Sequence, residues 1–387
     1  MIARQLSDKL RQAAQKMPVI SLTGPRQSGK TTLTRAAFPN HAYVNLENPA
    51  TRRLALENPV GFLDQFAAGV IIDEAQYAPE LFSYIQVRVD ERQQNGNYVL
   101  TGSQNFLFME KISQSLAGRV AIFHLLPFSL TELVGTPYAV ENPFEYIFRG
   151  SFPRVYDQDV PTEIFYPAYI QTYLERDVRQ LQNIGDFYAF ERFLHLCAGH
   201  VGQLMNQSNL ANDAGVSHTT IGRWLSVLQT SFITFALPPY FRNFNKRVVK
   251  TPKLYFYDTG VACSLLGIRS TAELEQHFAR GALFENFVIV ETMKQFYHRG
   301  LRAPIFFWRD STGNEVDMLV EVGGQLFPVE IKSSQTLNSA FFKNLQFFNQ
   351  LSGNAPAQAH LIYAGRENQP HAIAKAHGWA DIPDFAK

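Results

Sequence analysis

One octapeptide constrains this chain more than any other feature: Gly24-Pro25-Arg26-Gln27-Ser28-Gly29-Lys30-Thr31, with Thr32 beside it. Its spacing, Gly-x-x-x-x-Gly-Lys-Thr, is the complete Walker A pattern. Each residue type has a physical reason. Glycine carries no Cβ, so main-chain N–H groups can turn towards a phosphate. A helix beginning at Lys30 adds a favourable dipole. Lys30 reaches the β- and γ-phosphate oxygens, and the Thr31 hydroxyl ligates Mg²⁺. An apolar strand at 19–23 leads in and a helical stretch at 30–37 leads out, the context the motif requires. Residues 24–32 are therefore read as a cradle for ATP with Mg²⁺.

A second segment completes that reading. Val70-Ile-Ile-Asp73-Glu74 is an apolar strand ending in two acids. Asp73 is placed to hold Mg²⁺ through water, and Glu74 to polarise the attacking water. Glu74 also fits a plain glutamate at a helix start. A further strand, Tyr98-Val-Leu-Thr101, runs into Gly102-Ser103-Gln104. Ser103 or Thr101 positions water there, or the segment is a Ser/Gln helix cap. Arg119 follows Leu116-Ala-Gly118 and is either a finger for the γ-phosphate or half of a surface ion pair.

Strands at 19–23, 42–46, 69–73, 98–101 and 120–125 alternate with helical stretches at 49–66, 79–94 and 105–117, after a first helix at 3–16. Alternation of this kind gives a parallel α/β sheet. Pro and Gly punctuation at 136–153 marks a hinge into a mostly helical region. A third pattern begins near 280: a helix at 281–298, strands at 304–309, 315–322 and 325–332, a helix at 338–351 and a strand at 358–364. The last twenty or so residues are expected to be weakly structured. The division is 1–135, 136–265 and 266–387. The 387 residues carry a formal net charge of +1, so no global field draws the chain to nucleic acid or membrane. Cys197 and Cys263 are too few for a disulfide framework. No apolar leader and no run of about 18 apolar residues occurs, so the expectation is cytoplasmic, with no membrane partner.

In the middle region, Leu210, Ala214, Val216, Ile221, Trp224 and Leu225 space out a helix-turn-helix, with Gly215 at the turn and Ser217 as cap. Strands at 232–237 and 253–257 follow, with Arg242, Lys246, Arg247 and Lys250 between them, the outline of a winged helix with a basic wing. Such a domain either contacts DNA or only packs against the nucleotide module. Glu175, Arg176 and Asp177 form a charged helix cluster.

The C-terminal region holds Glu315-Val-Asp317 on one strand and Glu330-Ile-Lys332 on the next, with Glu285 on the preceding helix. Period two puts Glu330 and Lys332 on one face, and a hairpin brings Asp317 alongside. Asp317, Glu330 and Glu285 then share a divalent metal while Lys332 serves water or the phosphorane, or the set is an ion-pair ladder between strands.

Taken together, 24–31, 70–76, 101–104, 115–119, 127–130, 150–153, 173–178, 257–260, 281–288 and 327–332 resemble a large prokaryotic group of ATP-binding proteins. These join an N-terminal AAA-type ATPase module to a C-terminal domain of unknown function. The last region is also similar to the PD-(D/E)xK nuclease superfamily, with Asp317, Glu330 and Lys332 on its motif and Glu285 as its helix acid. The leading Pro-Asp is absent, since Val316 precedes Asp317. The resemblance implies an AAA-type P-loop sheet, a helical and winged-helix middle and a restriction-endonuclease-like end. It implies an ATPase, with ATP and Mg²⁺ at the first site and Mg²⁺ or Mn²⁺ at the nuclease-like one; nucleic acid (DNA foremost) is the partner expected of such a combination, and a homo-oligomer is compatible with it but not demanded by the sequence.

Overall fold

The structure is a computed structural model. It describes residues 2–102, 112, 114–173 (Tyr173 by its backbone alone), 186–241 and 248–387. Ser103, Gln104, the 174–178 cluster and the cations Arg242, Lys246 and Arg247 lie outside the described residues. The chain forms two compact units. One comprises Met1–Phe128, Thr230–Phe232 and Tyr297–Leu301; the other comprises Ser129–Gln229, Ile233–Phe296 and Arg302–Lys387.

The first unit is a five-stranded parallel sheet. Its strands are β1 (Val19–Thr23), β2 (Ala42–Asn45), β3 (Val70–Asp73), β4 (Tyr98–Gly102) and β5 (Val120–His124), in the order β2-β3-β4-β1-β5. Apolar side chains alternate between two cores because successive strand residues face opposite ways. Val19, Val70, Ile72, Tyr98 and Leu100 enter one core with the helix Leu81–Arg92. Ile20, Leu22, Ile71 and Val99 enter the other with helices Leu6–Ala14 and Lys30–Ala37. Burial on both faces explains why these strands read as unbroken apolar runs. The stretch expected as one helix at 49–66 is two helices, Pro49–Glu57 and Pro59–Asp64. Asn58 breaks it: it leaves helical dihedrals ahead of Pro59 and caps the second helix through Gly61 N–H.

The second unit contains a mixed sheet and a set of helices. β6 (Thr234–Leu237) and β7 (Lys253–Phe256) pair antiparallel. β8 (Ile305–Arg309), β9 (Glu315–Val322), β10 (Gln325–Lys332), β11 (His360–Tyr363), β12 (Gln369–Pro370) and β13 (Lys375–Gly378) form one sheet in the order β12-β13-β11-β10-β9-β8. β9 and β10 are a hairpin turned at Gly323-Gly324, and the helix Lys343–Ser352 carries the chain from β10 to its parallel neighbour β11. The tail expected to be weakly structured instead supplies β13, and Trp379 and Phe385 are buried. Lys-Ala-His-Gly has little strand propensity, so main-chain pairing with β11 and these aromatics override it.

The glycine-proline segment read as a hinge is packed rather than loose. Asp258 Oδ2 accepts from the Ser151 N–H and hydroxyl, both at 2.7 Å, while Asp258 Oδ1 caps the helix Thr259–Leu265. A Cβ on Gly150 or Gly260 would collide with Tyr166. Beside them the buried Lys294 ammonium meets Glu291 at 2.7 Å, whose other oxygen accepts the Leu130 N–H at 2.7 Å. Both cysteines are buried free thiols that burial pushes well above the ordinary range. Among the described residues no helix is long and apolar enough to cross a membrane.

Candidate functional site

The cradle forms where β1 ends. Gly24 has φ +152°, and a Cβ on it would collide with the Leu125 main-chain oxygen, so only glycine fits. Gln27 at φ 61° and Gly29 at φ 93° take left-handed conformations, the kind of turn that gathers N–H groups around an anion. Arg4, from a distant part of the chain, braces the loop: it donates to Ser28 O at 2.8 Å and Leu126 O at 2.6 Å. Arg26 approaches Glu47 at 3.9 Å, and Thr32 is exposed on the helix.

Lys30 is buried, and its ammonium donates to the Gly24 and Pro25 carbonyls at 2.9 and 2.7 Å. Those acceptors are neutral, whereas a phosphate oxygen offers a charge-assisted bond. These two carbonyls hold the lysine against the loop.

Asp73, buried at the end of β3, is the centre of the site. Its Oδ2 accepts from the Thr31 hydroxyl at 2.7 Å and the Tyr43 phenol at 2.8 Å. Its Oδ1 accepts from the Glu74 N–H at 3.1 Å and from the Thr101 hydroxyl. The strand order explains the set: β4 lies between β3 and β1, so Thr101 stands between the acid and the loop, while β2 brings Tyr43 from the other side. Burial first, then Asp73, pushes the Tyr43 phenol above its ordinary range, so it stays a donor.

Glu74 sits at φ 54°, and its carboxylate accepts from the Gln76 amide. Gly102 makes room for Gln76, whose Oε1 occupies the space a Cβ would need. Arg119 does not join this group: it makes a two-point ion pair with Asp90 at 2.6 and 2.8 Å. Of the two readings open in the sequence, the described structure places it in the surface ion pair. Tyr43, Arg4 and Gln76 were not singled out from the sequence. Tyr43 lies in an expected strand, but nothing local says that its hydroxyl meets an acid 30 residues away.

The C-terminal residues also converge. Continuing the β9–β10 register by one pair from Met318–Val329 sets Asp317 opposite Glu330. Lys332 donates to Glu330 Oε1 at 2.6 Å and Asp317 Oδ2 at 3.3 Å. Asp317 Oδ2 also accepts the Ile331 N–H at 2.8 Å, and Asn344 donates to Glu330 Oε1 at 3.2 Å. The second Glu330 oxygen is buried with no hydrogen-bond partner. Glu285 turns to a residue the sequence did not flag: Lys253 on β7 donates to it at 2.9 Å and also pairs with Glu315. Tyr255 donates to the same Glu285 oxygen.

Burial raises Glu285 and Glu330 above the ordinary carboxylate range, Asp317 adds to both, and the lysines only partly offset it. Burial alone would depress Lys253 and Lys332, but the surrounding carboxylates outweigh it and hold both ammoniums charged. Among the described residues no group of three or more His, Cys, Asp or Glu is arranged to hold a metal ion. The expected shared shell of Glu285, Asp317 and Glu330 is therefore not assembled as such; Lys253 and Lys332 stand among its members.

Three family models match successive segments of the chain. The family described as "AAA domain" matches residues 16–134, "Domain of unknown function (DUF8612)" matches 140–272, and "Domain of unknown function (DUF4143)" matches 280–379. The uncharacterized protein Rv2008c of Mycobacterium tuberculosis is 33% identical over 337 residues, 86% of this chain and 74% of its own length. The uncharacterized protein Mb2031c of Mycobacterium bovis matches with the same 33% over 337 residues, covering 86% and 74%. Among solved structures, the Walker-type ATPase PABY2304 of Pyrococcus abyssi is similar at 16% identity and a TM-score of 0.44, covering 68% of this chain and 96% of its own.

Proposed function

Because the chain belongs to the family of Rv2008c and Mb2031c and carries an AAA domain of the P-loop ATPase kind, we propose that it hydrolyses ATP with Mg²⁺ and uses the cycle to act on nucleic acid. The observation that carries this is the convergence of Thr31 and Thr101 on Asp73, with Lys30 held in the preceding loop by the Gly24 carbonyl. The residues fit the nucleotide: the Gly24 cradle leaves no room for a Cβ, and the donor set is a hydroxyl, an ammonium and main-chain N–H groups. Main-chain groups of residues 24–32 and the Lys30 ammonium hold the phosphates. Thr31 and Asp73 would hold Mg²⁺, which neutralises charge on the phosphoryl group when bound. Thr31 must release Asp73 to turn towards that ion. Glu74 takes the proton of the attacking water once Gln76 lets its carboxylate go. Ser103, two residues past Thr101, is assigned to orienting that water. Arg119 keeps to Asp90 in this reading.

DNA is the partner we favour. What supports it is the helix pair Gln207–Ala214 and His218–Thr230, joined by left-handed Gly215 and followed by the β6–β7 pair. The second helix exposes His218, Thr219 and Arg223. The test is ATP turnover: Glu74→Gln should retain nucleotide affinity and lose phosphate release by about 10²-fold or more. Unchanged release would leave ATP binding without turnover.

A second reading is favoured by one observation, the buried unpartnered oxygen of Glu330 beside Lys332 and Asp317. It is metal-dependent phosphodiester cleavage, with Asp317 and Glu330 as ligands and Lys332 steadying the developing charge. Cleavage of single- and double-stranded DNA and RNA with Mg²⁺ or Mn²⁺, abolished by Asp317→Ala, is the expected result. No cleavage of any of them sinks it.

A further inference from the structure

The loop after β1 carries a second cation, Arg26, whose side chain has no assigned task. The Pro25 oxygen that accepts from the buried Lys30 ammonium at 2.7 Å belongs to the peptide joining Pro25 to Arg26. The Arg26 α-carbon therefore stands one peptide away from the ammonium that reaches the β- and γ-phosphate oxygens. Its guanidinium lies 3.9 Å from Glu47, two residues beyond β2. The loop follows β1, and both β4 and β3 lie between β1 and β2. Asn45 is level with Asp73, and the Leu46 N–H donates to the Asp73 main-chain oxygen at 3.0 Å. A side chain that leaves the loop and ends at Glu47 thus leans over the strand end where Asp73 and Glu74 stand.

We infer that Arg26 is a catalytic cation for the γ-phosphate, held by Glu47 before ATP binds and transferred to the γ-phosphate oxygens when it does; this rests on the reading of residues 24–32 as an ATP site. The ion pair with Glu47 is long and partly exposed, so it contributes little and yields to a better acceptor. Phosphate oxygens are that acceptor, because they offer the planar guanidinium two parallel charge-assisted bonds. Arg119, the arginine that the sequence offered for this task, is taken by Asp90 at 2.6 and 2.8 Å. In the hydrolysis, the water oxygen bonds to the γ-phosphorus and the bond from that phosphorus to the bridging oxygen breaks. ADP keeps the bridging oxygen with its electron pair, and a water proton goes to Glu74. Arg26 stays protonated throughout and neutralises charge that gathers on the γ-phosphate oxygens. A contact made only to the γ-phosphate also separates ATP from ADP, and the return of Arg26 to Glu47 follows loss of that group.

The test is phosphate release from ATP with Mg²⁺, together with ADP affinity by calorimetry, on the full chain. Arg26→Ala should lower kcat by about 10²–10³-fold. It should leave ADP affinity within about threefold of the parent, since ADP lacks the group contacted. Arg26→Lys keeps the charge without the fork and should fall between the two. Glu47→Gln removes the competing acceptor and should raise kcat/KM for ATP by about two- to fivefold. Both Arg26→Ala and Glu47→Gln break the same ion pair, so opposite signs cannot come from loss of a strap. If Arg26→Ala does not fold, Arg26→Met keeps the stem and takes its place. Turnover in Arg26→Ala equal to the parent's, or equal losses in Arg26→Ala and Glu47→Gln, overturns the role of Arg26 and leaves the ATP site standing. No ATP uptake and no phosphate release by the parent overturns both.

Discussion

At the end of β3 a buried carboxylate is met by neutral donors, whereas at the adjoining ends of β9 and β10 buried carboxylates are met by ammonium groups. Asp73 accepts from two hydroxyls, a phenol and an N–H, and Lys30 donates to two carbonyl oxygens. Glu285, Asp317 and Glu330 instead surround Lys253 and Lys332. The difference teaches what each arrangement can do at rest. The first is stable without its cation because neutral donors satisfy the acid, yet none of them cancels its charge, so an incoming ion is welcome. The second cancels most of its charge internally and is held together by doing so.

The widest separation between the two should come from deleting a lysine in each. Lys253→Ala leaves Glu285 without its cation and Glu315 with Arg309 alone, and should cost about 3–5 kcal/mol of stability, read by denaturant unfolding, with ATP turnover per folded molecule unchanged. Lys30→Ala removes an ammonium that donates to the Gly24 and Pro25 carbonyls and should cost less stability than Lys253→Ala. It should lower phosphate release by about 10²–10³-fold. If Lys30→Ala unfolds the protein as readily as Lys253→Ala, the contrast between the two sites is broken.

Glycines sharpen the same comparison at smaller cost. Gly260→Ala drives a Cβ into the Tyr166 ring, which is itself packed beside Gly150, and should destabilise by about 1–3 kcal/mol without touching nucleotide affinity. Gly24→Ala drives a Cβ into the Leu125 main chain and should show its main effect in nucleotide titrations. Smaller again is Tyr43→Phe, which leaves Asp73 with three donors. About tenfold weaker Mg²⁺ dependence of turnover is expected, from the ~1.5–3 kcal/mol of a bond to a charged group less partial replacement by water. A Tyr43→Phe enzyme with the parent's Mg²⁺ curve would show that the phenol only fills space.

How far these sites were legible follows from distance along the chain. The Walker A loop and Asp73 are short local patterns, and β9 and β10 are bounded by alternation and by Gly323-Gly324, so their limits were readable. The pairing of Asp317 with Lys332 was also readable, because a hairpin turns a sequence offset into a geometric one. Tyr43, Arg4 and Lys253 were not. Arg4 braces a loop 24 residues away at Ser28 and another 122 away at Leu126, and no local pattern encodes that. Lys253 stood at the start of an expected strand, next to a wing whose cations are expected to face solvent or phosphate. Its burial depends on β7 lying against the C-terminal acids. β13 was missed for a related reason: its residues have little strand propensity, and the partner β11 supplies what they lack.

The effect that is smallest near neutral pH concerns acid sensitivity, where the two units hold comparable groups. His124 in the first unit is pushed down by burial and shares a 2.7 Å bond with Thr23. In the second unit burial, and then the neighbouring His377, pushes His360 down to about 3; its Nδ1 lies 3.0 Å from His377 Nε2. In the unfolded chain a histidine takes up its proton near pH 6.5. Between that value and the folded one, the unfolded state binds the extra proton, so stability rises with pH across the window and is lost as pH falls through it. Above about pH 6.5 His360 contributes no slope. Below it the loss approaches a limit of about 1.4 kcal/mol per pH unit, and at pH 6 it amounts to less than ~1 kcal/mol. His360→Gln keeps a hydrogen-bonding group but does not titrate, so its stability curve should run flatter than the parent's from pH 6.5 down to 4.5 and join it above pH 7. Curves that stay parallel over that range would mean that His360 is protonated in the folded protein. In that case the His360–His377 pair would be a charged contact, and the second unit would hold one more internal cation than the comparison allows.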